Sequence, residues 1–124
     1  MLKIFLILGS LNACVAVALG AFGAHGLEGK LSEKMLSTYE TGVKYHMYHS
    51  LGLIGIALIA DRLGNSGLIN WAGWLMFIGI ILFSGSLYVL SNTGIKILGA
   101  ITPLGGVAFL AAWILVAVAA FKLS

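Results

Sequence analysis

Residues 4–26 read IFLILGSLNACVAVALGAFGAHG and contain no charged side chain. An α-helix rises about 1.5 Å per residue, so about 20 apolar residues carry it across the hydrocarbon core of a bilayer. This stretch is long enough. It also exceeds the roughly 7–15 apolar residues of a secretory leader. It carries a row of small residues, Gly9, Ala13, Ala16, Gly20 and Gly23, at spacings of four, three, four and three. That spacing puts them on one helix face, which lets another backbone approach closely in lipid, where dispersion replaces the hydrophobic effect. A segment removed after export has no use for such a face, so a retained first span is expected.

The same test divides the rest of the chain. Charges cluster over Glu28, Lys30, Glu33, Lys34, Glu40 and Lys44, then recur at Asp61-Arg62, Lys96 and Lys122. Between them the sequence predicts four spans, at about 3–24, 44–61, 69–91 and 97–121. The second opens on Tyr45, His46, Tyr48 and His49, and the third on Trp71 and Trp74. Tyrosine and tryptophan favour the membrane–water interface. Trp113 falls mid-span and reads as a packing residue. Over Leu31–Lys44, Ser32 is a candidate N-cap, and Leu36, Tyr39 and Val43 share a face opposite Glu33, Lys34 and Glu40. That predicts a short amphipathic interfacial helix between spans 1 and 2, which either stands alone or runs on into the second span with Gly42 as the joint. The expected fold is all-α: one domain, 1–124, forming an integral membrane four-helix bundle.

Composition agrees. Of 124 residues, 60% are hydrophobic and 9% charged, against ~25% charged in a soluble domain. A soluble domain of this size cannot hide so much apolar surface. The net charge of +3 is scattered, with no basic run, so no nucleic-acid partner is expected. The lone cysteine, Cys14, reads as a small buried hydrophobe. Lys3, Arg62 and Lys122 lie on the side of the termini and Lys30, Lys34, Lys44 and Lys96 on the other, a balance too even to orient the chain.

Four polar or flexible groups fall at the membrane face opposite the termini. His25 ends the first span, and His46 and His49 begin the second. Ser84, Gly85, Ser86 and Tyr88 end the third. Thr102, Pro103, Gly105 and Gly106 begin the fourth. Gly85 reads as a close helix crossing. The helix either starts at Pro103 or starts near Lys96 and kinks at Pro103; the kinked helix is favoured, because lipid penalises unpaired backbone groups. Polar residues gathered in one leaflet predict a packed polar site. Its expected members are His25, His49, Ser84, Tyr88 and Thr102, with His46 nearby and His49 the member least tolerant of replacement.

The stretches Gly20-Ala21-Phe22-Gly23-Ala24-His25-Gly26, Tyr45-His46-Met47-Tyr48-His49, Phe83-Ser84-Gly85-Ser86-Leu87-Tyr88 and Ile101-Thr102-Pro103-Leu104-Gly105-Gly106 resemble the motifs of domain of unknown function 423. These are small UPF-type bacterial inner-membrane proteins, similar also to small eukaryotic transmembrane proteins. The resemblance covers nearly the whole chain, in order. It implies four spans, no established activity and termini in the cytoplasm, and it matches best at His25 and His49.

The chemistry available is limited. His46 and His49 are three apart on a helix and so share a side of it. With His25 they would suit Zn²⁺ or Cu²⁺, although a proton-sensing role is open to them too. The simpler expectation is that each imidazole is neutral and bonded to a carbonyl or hydroxyl of another helix, with no cofactor. No carboxylate lies within a span, which argues against a proton-coupled exporter. Ser84 or Ser86 near His49 is a weak basis for a nucleophile, so no enzyme is expected. The role expected is a non-catalytic binding or accessory component of the cell membrane. Membrane lipids are its expected partners, and a homo-oligomer is compatible with the pattern. The alternative is a small oligomeric channel or transporter.

Overall fold

The computed structural model describes residues 2–60, 62 and 67–122. Asp61, the neighbour of Arg62 on the side of the termini, lies outside the described residues. Helix α1 (Leu2–Phe22) runs into a π-helical stretch at Gly23–Leu27. Helix α2 spans Glu33–Ile59. Helices α3 (Gly67–Gly79) and α4 (Ser86–Thr93) are joined by a π-helical stretch at Ile80–Gly85 into one rod. Helix α5 spans Leu98–Phe121. Among the described residues the chain therefore forms four rods, packed as a helical bundle.

Three rods are long and apolar enough to cross a membrane: Lys3–Leu27, Gly67–Thr93 and Leu98–Phe121. In α2, Lys44, two imidazoles and two phenols dilute the apolar half, and Glu33, Lys34 and Glu40 occupy the first turns.

The interfacial helix expected before the second span is not a separate element. It is the first part of α2, which passes Gly42 without a break. Ser32 caps it by accepting the Met35 N–H at 3.1 Å. A mid-helix glycine costs only about 1 kcal/mol relative to alanine and does not by itself end a helix. Gly42 also has a packing reason to be there: an added Cβ would lie 3.0 Å from the Tyr88 ring. Turns with positive φ at Gly29 (83°) and Gly94 (74°) follow the first and third rods. Glycine takes that conformation without steric cost.

The α1–α2 seam runs antiparallel. An added Cβ on Gly9 would meet Ile54 Cγ1 at 2.7 Å and the Ser50 carbonyl at 2.8 Å; on Gly20 it would meet Val43 at 3.2 Å; on Gly23, the Tyr39 ring. Ala16 is buried on the same face and Ala13 half-buried. The Tyr39 hydroxyl donates to the Leu19 carbonyl across the seam at 2.5 Å. Leucine at Ala16 should therefore lower stability by about 1–3 kcal/mol, the usual cost of overpacking. Thermal unfolding in detergent checks this, and an unchanged midpoint would refute it.

The α3–α5 seam uses the same device. Phe109 fills the space over Gly79, and Gly105 lets α5 touch the backbone at Leu82-Phe83. Phe5 reaches from α1 over Gly73 and stacks edge-on with Trp74 at 5.5 Å. Trp74 is thus a packing residue rather than the interface marker the sequence suggests; Trp71 is the exposed one. An apolar core of Phe5, Leu53, Ile56, Ile69, Met76 and Phe109 joins all four rods. The outer surface is apolar too, with Leu11, Val17, Leu110 and Ile114 exposed. Cys14 lies on that outer surface and is not buried.

Pro103 lies inside α5, whose first turns begin five residues before it. The close crossing expected at Gly85 is corrected: the nearest atom to an added Cβ there is 4.0 Å away.

Candidate functional site

Polar side chains of four rods meet in the half of the bundle toward Glu33 and Thr93, and they separate into three stations. The first joins α1, α2 and α4. His46 Nε2 lies 2.9 Å from Asn12 Oδ1, and His46 Nδ1 lies 2.8 Å from the Tyr88 hydroxyl. Asn12 Nδ2 donates to the Leu8 carbonyl at 2.8 Å, which leaves Oδ1 as the acceptor facing His46. His46 therefore carries its proton on Nε2 and accepts the Tyr88 hydroxyl proton at Nδ1. This is the neutral imidazole with both nitrogens used. Ser84 lies beside this station and donates to the Gly42 carbonyl of α2 at 2.8 Å. The π-helical stretch that holds Ser84 points it at α2, while Ser86 two residues on faces α5.

The second station joins α2 to α5. His49 Nδ1 donates to the Tyr45 carbonyl at 2.7 Å, and Nε2 accepts the Trp113 indole N–H at 3.1 Å. His49 is the opposite tautomer from His46, because its proton is fixed on Nδ1 by its own helix. Its ring stacks on Phe109 with centroids 3.4 Å apart and planes 8° from parallel. The third station is a hydroxyl pair, Ser86 and Thr102, at 2.6 Å. Thr102 donates in turn to the Leu98 carbonyl at 3.1 Å, which orders the start of α5 before Pro103.

His25 is not part of this. It is exposed, on the π-helical stretch that ends the first rod. The single cluster of His25, His49, Ser84, Tyr88 and Thr102 is therefore corrected to three stations without His25. The metal set His25, His46 and His49 is not brought together, and among the described residues no three His, Cys, Asp or Glu side chains are grouped to hold a metal ion. The physical reason is rotational. His46 and His49 are adjacent along the helix, yet one reaches α1 and α4 while the other reaches α5.

Sequence reasoning missed Asn12, Trp113 and Phe109. Asn12 had a signal: an amide in the middle of an apolar span needs a partner. Trp113 and Phe109 had none, since an aromatic in a span is ordinary.

Beside the second station a cavity of about 550 Å³ opens between α2 and α5, walled by Tyr45, His49, Phe83, Pro103, Phe109 and Trp113. Residues 19–106 match the family described as protein of unknown function (DUF423). The chain belongs to this family. It is 64% identical over 121 residues to the UPF0382 membrane protein YwdK of Bacillus subtilis, covering 98% of each chain. It is 55% identical over 121 residues to the UPF0382 membrane protein SERP0230 of Staphylococcus epidermidis, again 98% of each. With the UPF0382 membrane protein SSP2132 of Staphylococcus saprophyticus the identity is 54% over 122 residues, 98% of this chain and 100% of that one. No solved structure matches. The chain is thus a membrane protein with several candidate spans, in a family described as of unknown function. The region matching DUF423 contains His46, His49, Ser84, Tyr88 and Thr102, while Asn12, Phe109 and Trp113 fall outside it.

Proposed function

We propose that this DUF423 protein is a four-span, non-catalytic binding component of the bacterial cell membrane, with both termini in the cytoplasm. The second span is the Lys44–Ile59 part of α2. Its packing against α1 and against the α3–α4 rod supports this, since a rod flanked by two apolar neighbours can cross with them. An even number of spans then puts the termini on one side.

The observation that carries the reading is that the buried imidazoles have no free nitrogen. A general base needs a lone pair facing a substrate. His46 and His49 each use one nitrogen as donor and the other as acceptor within the protein. The hydroxyls of Ser84, Ser50 and Thr102 donate to helix carbonyls. Such bonds position helices, and the aromatic-walled cavity between α2 and α5 is left as the place where something binds.

Reconstitution tests this against the transport alternative. Proteoliposomes should pass protons and K⁺ no faster than protein-free vesicles, for the native chain and His49→Ala alike. A flux present in the native chain and lost in His49→Ala would replace this reading with a channel or transporter.

A further inference from the structure

The space between α2 and α5 is the open seam of the bundle. Phe109 and Trp113 bridge it through His49, and two hollows lie along it. The larger, about 550 Å³, has Pro103, Gly106, Val107 and Leu110 along its α5 side. The smaller, about 320 Å³, shares Tyr48 and Trp113 with it and continues past Gly55 to Ile59 and Val116. Small-molecule clefts usually measure about 300–1,000 Å³, so the larger hollow alone has the capacity of a ligand site.

Its dimensions and chemistry select among occupants. Pro103 to Trp113 is ten residues of helix, or about 15 Å along the axis. That is about half the hydrocarbon thickness of a bilayer, so the hollow is one leaflet deep. Of the polar groups in its wall, His49 Nε2 and Trp113 Nε1 are bonded to each other at 3.1 Å, and the phenols of Tyr45 and Tyr48 are the others. A quinone or sterol oxygen lodged beside His49 and Trp113 would find both already paired, at a cost in desolvation. An aliphatic chain needs none.

At the shallow end stands Tyr45, whose phenol suits the level of the ester groups. Gly106 keeps the wall open: the nearest atom to an added Cβ is Phe83 Cδ2 at 3.9 Å. Val107 and Leu110, both more than 60% exposed, form its lips and face lipid. A helix of a second copy, about 10 Å wide, would have to pass those lips to enter.

We propose that the α2–α5 seam holds one acyl chain of a phospholipid from the leaflet opposite the termini, with its methyl end near Trp113. This rests on the binding role proposed above and names its ligand.

The test uses the full chain in vesicles containing phosphatidylglycerol with a diazirine at the end of one acyl chain. After photolysis, label should concentrate on the Phe109–Trp113 peptide over the equally apolar Leu11–Val17 surface by about fivefold. Gly106→Phe, which fills the hollow, should bring the two to parity while leaving the Leu11–Val17 label unchanged. Val107→Trp serves the same purpose if Gly106→Phe does not fold. Label spread evenly over both surfaces in the native chain, or a groove label that survives both substitutions, overturns the proposal. So does a cross-link from Phe109–Trp113 to a second copy. Flux in the reconstitution experiment together with a groove-specific label would remove the accessory role and leave the lipid site standing.

Discussion

Replacing Gly105 by alanine should lower stability by about 3 kcal/mol or prevent folding, whereas the same change at Gly106 should cost nothing. The two glycines are neighbours on α5 and would be equivalent by helix propensity, where alanine gains about 1 kcal/mol over glycine. Their surroundings differ. A Cβ on Gly105 would collide with the Phe83 amide nitrogen and lie 2.8 Å from the Leu82 carbonyl carbon. Both are backbone atoms of the π-helical stretch, so no rotamer change can relieve the clash. Overpacking usually costs about 1–3 kcal/mol, and rigid surroundings put this case at the top of that range. A Cβ on Gly106 meets only Phe83 Cδ2, at an ordinary contact distance of 3.9 Å. Unfolding of both variants in one detergent is the measurement. Equal midpoints would mean that α5 does not rest on the Leu82-Phe83 backbone.

His46→Leu should be the most damaging change among the polar residues, at about 2–4 kcal/mol. The bonds themselves are minor, since an interhelical hydrogen bond in lipid averages about 0.6 kcal/mol. Most of the cost comes from the groups that the substitution strands. Asn12 Oδ1 and the Tyr88 hydroxyl both lose their partner, and an orphaned buried polar group costs about 1–3 kcal/mol. His49→Leu should cost less, because Trp113 is partly exposed and leucine still packs on Phe109. Adding Tyr88→Phe and Asn12→Leu to His46→Leu should recover part of the loss by removing the orphans. A cost for His49→Leu above that for His46→Leu would sink this ranking, and so would a triple variant weaker than the single one.

The ranking reverses what the sequence suggests, and the reversal shows where sequence reasoning stops. Uncharged runs and the spacing of Gly9, Ala13, Ala16, Gly20 and Gly23 were enough to locate the rods and the α1 face that meets α2. Both follow from local periodicity. Ser32 as a cap was legible for the same reason. The clustering of His46, Ser84, Tyr88 and Thr102 at one end of the bundle was legible from helix ends and antiparallel order. Which of them touch was not. Contact depends on rotation about each helix axis, and the π-helical stretches shift that rotation without a mark in composition. His25 sits on one such stretch and left the cluster. His46 gained Asn12, a residue whose place in an apolar span gave it little weight. The amphipathic helix runs on through Gly42 into the second span, one of the two readings the sequence offers, and the glycine there serves the passage of Tyr88.

The stretch at Ile80–Gly85 uncouples chain length from side-chain direction. A π turn holds one residue more than the α turn it replaces, and in an α-helix each residue advances about 100°. Loss of a single codon within it would let the stretch close as an ordinary α turn, leaving Tyr88 on His46 and Ser86 on Thr102. Insertion of one, with no slack left to absorb it, would turn both away. Over these six positions, then, the gene bears a lost codon better than a gained one.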